Sequence, residues 1–123
     1  IEVAGMRDRI AFVRGDGLEV IKRYIDRNDT FFFIDPPYTT EGNQAGRRLY
    51  THHDIDHQEL FSLISSTAGG FLMTYSDDEW VRKLAQKHGF EVHEIGMRTS
   101  HHREKTELLI TNSPYAPVIP FYR

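Results

Sequence analysis

The sequence predicts an α/β fold, and three observations carry that prediction. Short apolar runs alternate with amphipathic segments along most of the chain. The runs around Thr30–Ile34 and Phe71–Tyr75 lack strict polar alternation, which suits strands covered on both faces of a parallel sheet. Asp and Gly punctuate the changes of period, where helix caps and turns are needed. Alternating strands and helices imply right-handed crossovers and a mostly parallel sheet, with a closing hairpin that adds one antiparallel strand.

The elements follow in order. "RIAFVR", Arg9–Arg14, is apolar at its centre and bounded by charge, which predicts a buried strand. "GDG" breaks it; Asp16 followed by Glu19 is a capping-box pattern, and Leu18, Ile21, Tyr24 and Ile25 recur at helical spacing, so a helix is expected over Gly17–Ile25. Thr30–Ile34 reads as a central parallel strand. Residues 39–51 have no period and carry two glycines, which predicts a long surface loop. A helix resumes near Asp54 or Asp56 on the stripe Leu60, Phe61 and Ile64, and "STAGG" ends it. After the strand Phe71–Tyr75, Asp77 is placed to cap a helix with the stripe Trp80, Val81, Leu84 and Ala85, and Gly89 stands where a left-handed C-cap belongs. Strands near Phe90–Met97 and Glu107–Thr111 flank the polar loop "RTSHHREKT", and a tail with three prolines, 113–123, is expected to be extended.

Composition bounds what such a domain can do. A chain of 123 residues is one domain by the usual prior of about 100–200 residues. It has 39% hydrophobic residues and no apolar segment near the roughly 18 residues of a membrane span. Having no cysteine, it can form no disulfide and no thiolate metal site, and no secretory h-region opens it, so a cytoplasmic location is the default. The net charge of −3 gives no overall attraction for nucleic acid, so any such contact must be local. The chain begins at Ile1 rather than Met, which suggests a preceding segment.

"FFFIDPPY", Phe31–Tyr38, carries the chemistry. Proline restricts the residue before it to extended conformations, so Asp35 and Pro36 are both held extended, and neither Pro36 nor Pro37 has an N–H. The Pro36 carbonyl is thereby left free to accept a hydrogen bond beside the Asp35 carboxylate, with Tyr38 supplying a flat face. Two acceptors next to a stacking platform suit an exocyclic amine on a planar base; stacking of this kind is worth roughly 1–3 kcal/mol. A strand that merely needs a rigid exit, with Asp35 capping a turn, explains the same four residues without a ligand.

"FFFIDPPY", "LYTHHDIDHQEL", "FLMTYSD" and "ELLITN", in that order and spacing, resemble successive blocks of the Dam-like (alpha class) N6-adenine DNA methyltransferases, in which D-P-P-Y is the catalytic motif. The resemblance spans about Ile10–Asn112, and implies the C-terminal part of a Rossmann-like fold that uses S-adenosylmethionine. It implies that Asp35, Pro36, Pro37 and Tyr38 are catalytic, with Asp35 and the Pro36 carbonyl holding the amine of an adenine flipped out of double-stranded DNA and Tyr38 stacking on it. Asp16 matches the residue that contacts the cofactor adenine, and it equally reads as a helix N-cap; Asp35 also borders the cofactor. Arg47, Arg48 and Tyr50 after the motif, and His101, His102, Arg103 and Lys105 in the terminal hairpin loop, are the implied DNA contacts. Solvated charge, and packing for Tyr50, account for the same residues. The family also brings restriction–modification, with a restriction endonuclease as companion.

The chain departs from the family in several respects, the absence of the first two strands of the fold among them. The glycine-rich F-x-G-x-G segment that admits the methyl donor is absent, as is the target-recognition region; "GDG" at Gly15–Gly17 lacks the preceding Phe and the spacing. Residues 1–112 are therefore expected to form a partial catalytic domain, inactive alone. No metal site is expected: His53 and His57 are four apart, but methyl transfer from a sulfonium needs no Lewis acid and Asp54 and Asp56 read as a helix start. The alternatives are a guanine-N2 RNA methyltransferase, which carries similar motifs, and a non-catalytic nucleic-acid-binding remnant. A cytosine-N4 enzyme fits less well, because it more often has Ser in place of Asp35.

Overall fold

The computed structural model describes residues 4–37, 55–98 and 104–112. A 3₁₀ segment, Ala4–Arg9, leads to helix α1 (Gly17–Tyr24) and strand β1 (Phe31–Ile34). Helix α2 (His57–Ile64), strand β2 (Gly70–Ser76), helix α3 (Glu79–Lys87) and strands β3 (Glu91–Arg98) and β4 (Glu104–Thr111) follow. The sheet order is β1-β2-β4-β3, with β1–β2 parallel and the pairs β2–β4 and β3–β4 antiparallel.

The sheet is thus mixed rather than mostly parallel. The cause is that β4 inserts beside β2 and leaves β3 outermost, so only one of three pairings is parallel. Lys105, expected in the hairpin loop, lies within β4 opposite Met97, because the β3–β4 ladder runs on to Arg98 and Glu104. Two further expectations are corrected at the other edge. Ile10–Arg14 forms no strand, and Ile10, Phe12 and Val13 are exposed, Phe12 at 91%; no partner strand stands beside it among the described residues. Among the described residues β1 is an edge strand whose faces alternate in exposure, with Phe31 and Phe33 on the open face.

The helices form the second layer. Leu18 and Ile21 of α1, Leu60, Phe61 and Ile64 of α2, and Val81 and Ala85 of α3 pack with Phe71, Met73 and Tyr75 of β2 and Leu108 and Ile110 of β4. Each fully buried large side chain of this set is worth roughly 1.5–3 kcal/mol. The helix ends follow their caps. Asp16 accepts the Leu18 N–H at 2.9 Å and Asp56 accepts that of Glu59 at 3.0 Å. α3 differs from expectation: Asp78 occupies the N-cap position without a side-chain cap bond. Asp77 instead takes the Arg82 guanidinium in a two-point contact of 2.7 and 2.9 Å, and the same Arg82 reaches Glu94 on β3. That contact holds the Asp77 carboxyl below the usual carboxylate range. Gly89 has φ +69°, the left-handed C-cap conformation expected of it.

Two contacts fix where β2 begins. The Asn112 side chain behaves as an extra strand residue: its Oδ1 accepts the Phe71 N–H at 3.2 Å and its Nδ2 donates to the Gly69 carbonyl at 3.1 Å. Thr111 adds a bond from Oγ1 to the Phe71 carbonyl at 2.7 Å. Gly69 itself passes so close to the turn before β1 that a Cβ there would lie 1.9 Å from the Thr30 carbonyl oxygen. No helix among the described residues is long and apolar enough to cross a membrane.

At the other end of β2, the Tyr75 hydroxyl lies 2.8 Å from His57 Nδ1, and Trp80 packs edge-on against Tyr75. Burial holds His57 below its ordinary value near 6.5, more than offsetting the raising effect of Asp56. Folding therefore favours the neutral imidazole.

Two outcomes are expected. Gly69→Ala should destabilise the fold by about 1–3 kcal/mol or more, since the obstacle is backbone and cannot turn aside, as read by denaturant unfolding. As pH falls from 7 through 6.5, unfolded His57 takes up a proton before folded His57 does, so stability should decline towards the lower folded value and then level. His57→Gln should flatten that slope in thermal melts across the same range.

Candidate active site

The parallel pairing of β1 with β2 places the D-P-P segment. Phe31 to Ile34 pair in register with Gly70 to Met73, so the residue after β1, Asp35, falls beside Thr74 of β2 at the carboxyl end of the pair. The Thr74 hydroxyl donates to Asp35 Oδ1 at 2.6 Å. Asp35 is otherwise exposed, Pro36 is buried and Pro37 is half-buried. The apolar run thus anchors a stiff corner whose carboxylate faces outward with one oxygen tied down. In open α/β sheets ligands bind beyond the carboxyl ends of strands, and this corner lies there.

The other residues singled out by sequence are distributed unevenly. Asp16 sits before α1 with Oδ1 engaged by the Leu18 N–H, so its observed contact is the helix cap. Gly15 and Gly17 have open space where a Cβ would stand, and neither is a point of close backbone approach. Lys105 belongs to β4. Tyr38, Arg47, Arg48, Tyr50 and His53 lie outside the described residues, as do His101, His102, Arg103 and the tail.

Two groups escaped the sequence reading. Thr74 gave no signal of its own, because its place beside Asp35 depends on the pairing of two strands separated by about forty residues. His57 was weighed only through its spacing from His53, yet its contacts are with Tyr75 and Trp80. A cleft of about 770 Å³ opens next to it, lined by Ile55, His57, Trp80, Lys83, Leu84 and Lys87.

The arrangement can hold a hydrogen-bond donor: an outward carboxylate, stiffened by two prolines and pinned by a hydroxyl, is a preorganised acceptor. Comparison with curated proteins returns no significant match. A family described as D12 class N6 adenine-specific DNA methyltransferase matches residues 7–101, a span that contains Asp35, Thr74 and the three helices. That span is most of the chain, and the chain belongs to the D12 class of N6 adenine-specific DNA methyltransferases.

Proposed function

We propose that this chain forms the target-base wall of an adenine-N6 methyltransferase acting on double-stranded DNA, within a Rossmann-like fold of which residues 1–112 are the C-terminal part. The observation that carries the reading is the exposed Asp35 carboxylate at the carboxyl end of β1, held at one oxygen by Thr74. Asp35 and the Pro36 carbonyl accept the two hydrogens of the amine of an adenine flipped from the duplex, and Tyr38 stacks on its ring. With both hydrogens accepted, the nitrogen lone pair is less committed to the ring. The nitrogen is also held for in-line attack. S-adenosylmethionine would supply the methyl group: the nitrogen–carbon bond forms as the carbon–sulfonium bond breaks, the neutral thioether leaves, and the methylated amine gives up one proton to solvent.

Arg47, Arg48 and Tyr50 contact the DNA near the flipped base, and His101, His102, Arg103 and Lys105 meet it from the β3–β4 side; an endonuclease companion is consistent with the family. A net charge of −3 agrees with contacts confined to such loops.

The cofactor side is incomplete in this chain. The sequence has no F-x-G-x-G segment, Gly15 and Gly17 lack its preceding Phe and spacing, and among the described residues β1 is an edge strand with Phe31 56% and Phe33 67% exposed. A segment bearing the glycine-rich turn completes the sheet beside β1 and the donor pocket with it.

The 123-residue chain alone should therefore transfer no labelled methyl to unmethylated DNA, and adding the glycine-rich segment in trans or in one chain should restore transfer. Product analysis should then show N6-methyladenine; N2-methylguanine would replace the proposal with the RNA-type chemistry. In the active form Asp35→Ala should lower kcat by about 10²–10³-fold, on the scale of losing one preorganised transition-state contact. Full activity of that variant would point to a nucleic-acid-binding remnant instead.

A further inference from the structure

We propose that Thr74 is a positioning residue for the amine-binding carboxylate, fixing Asp35 Oδ1 so that Oδ2 is the oxygen presented to the target amine. The inference rests on the reading of Asp35 as that carboxylate.

Three features converge on it. The contact is short, 2.6 Å from Thr74 Oγ1 to Asp35 Oδ1, at the strong end of hydroxyl–carboxylate bonds. Its donor is rigid. Thr74 sits between Met73 and Tyr75, both fully buried, and its backbone lies opposite Leu109 on β4. Its β-branched side chain has few rotamers to lose. Its acceptor is also restrained, since Pro36 holds the Asp35 backbone extended.

The consequence is chemical. An aspartate free to turn about χ1 and χ2 presents its two oxygens interchangeably and in varying directions, so its alignment with the Pro36 carbonyl varies. With Oδ1 engaged by Thr74, the carboxylate is held in one orientation with Oδ2 outward, so Oδ2 accepts one amine hydrogen and the Pro36 carbonyl accepts the other. The amine plane is then set by two acceptors on successive residues rather than by one mobile carboxylate. Thr74 does not touch the base; it acts through Asp35.

The test compares Thr74→Val, which keeps the shape and removes the hydroxyl, with Thr74→Ser, which keeps the hydroxyl, and uses Asp35→Ala as control. In the methylation-competent assembly of this chain with its cofactor segment, Thr74→Val should lower kcat about 10–100-fold, on the scale of a displaced reacting group. KM for the methyl donor should stay unchanged, and Thr74→Ser should remain within about threefold of wild type, since the hydroxyl bond is retained. In the 123-residue chain, three-bond NMR couplings should report one Asp35 χ1 rotamer in wild type and Thr74→Ser, and averaging in Thr74→Val. Unchanged kcat in Thr74→Val with an inactive Asp35→Ala would overturn this inference and leave the Asp35 reading standing. A single Asp35 rotamer in Thr74→Val, or an equal kcat loss in Thr74→Ser, would overturn it as well. An active Asp35→Ala variant would overturn the underlying reading itself. Should Thr74→Val fail to fold, the serine variant and its couplings decide the matter, since a lost rotamer there contradicts the proposal.

Discussion

The parallel register between Phe31–Ile34 and Gly70–Met73 is the constraint on which the rest of this structure depends. It contains only four residue pairs, so its position must be enforced from its ends. At the amino end, Gly69 lies against the Thr30 carbonyl, and Asn112 and Thr111 bond to Gly69 and Phe71 from β4. At the carboxyl end, Asp35 meets Thr74. A slip of one residue would turn Thr74 to the helix face and Met73 to the open one, because side chains alternate along a strand. The fully buried Phe71, Met73 and Tyr75 oppose that slip, and in holding the core they hold the Asp35 contact.

What the sequence made legible was local. The α2 stripe of Leu60, Phe61 and Ile64, the cap at Asp16 and the left-handed turn at Gly89 are each set by residues within one or two helical turns of each other, and each appears where periodicity and cap chemistry place it. The D-P-P corner was equally readable, since proline acts on its immediate neighbour. Pairing between distant segments was not. β4 follows β3 in sequence but inserts between β3 and β2, and apolar runs carry no label for a partner. Thr30–Ile34 therefore reads as a covered central strand, although its Phe31 and Phe33 face outward. Asp77 and Asp78 show the same limit on a smaller scale. Either fits a cap, and Arg82, reaching back to Asp77 and across to Glu94, leaves Asp78 at the helix start.

The candidate site divides along the same line. Asp35 and its prolines announce themselves, because a carboxylate and a free carbonyl at a strand end are a chemical statement in four letters. Thr74 is as close to the carboxylate as any described group, yet nothing near it in sequence mentions Asp35. A residue that orients another across a strand pair becomes visible only once the register is known. Sequence reading therefore recovers groups that bear chemistry more readily than groups that aim them.

The exposed edge links the fold to the site. Burying a phenylalanine is worth roughly 1.5–3 kcal/mol, so Phe31 and Phe33 represent unused stabilisation on the open face of β1. At its free edge β1 also has backbone hydrogen-bonding groups with no strand partner among the described residues. A strand that paired along the whole of β1 would pass within a residue or two of Asp35, because Asp35 directly follows Ile34. The contact that would complete the sheet is therefore also the contact that would bring new groups to the carboxylate.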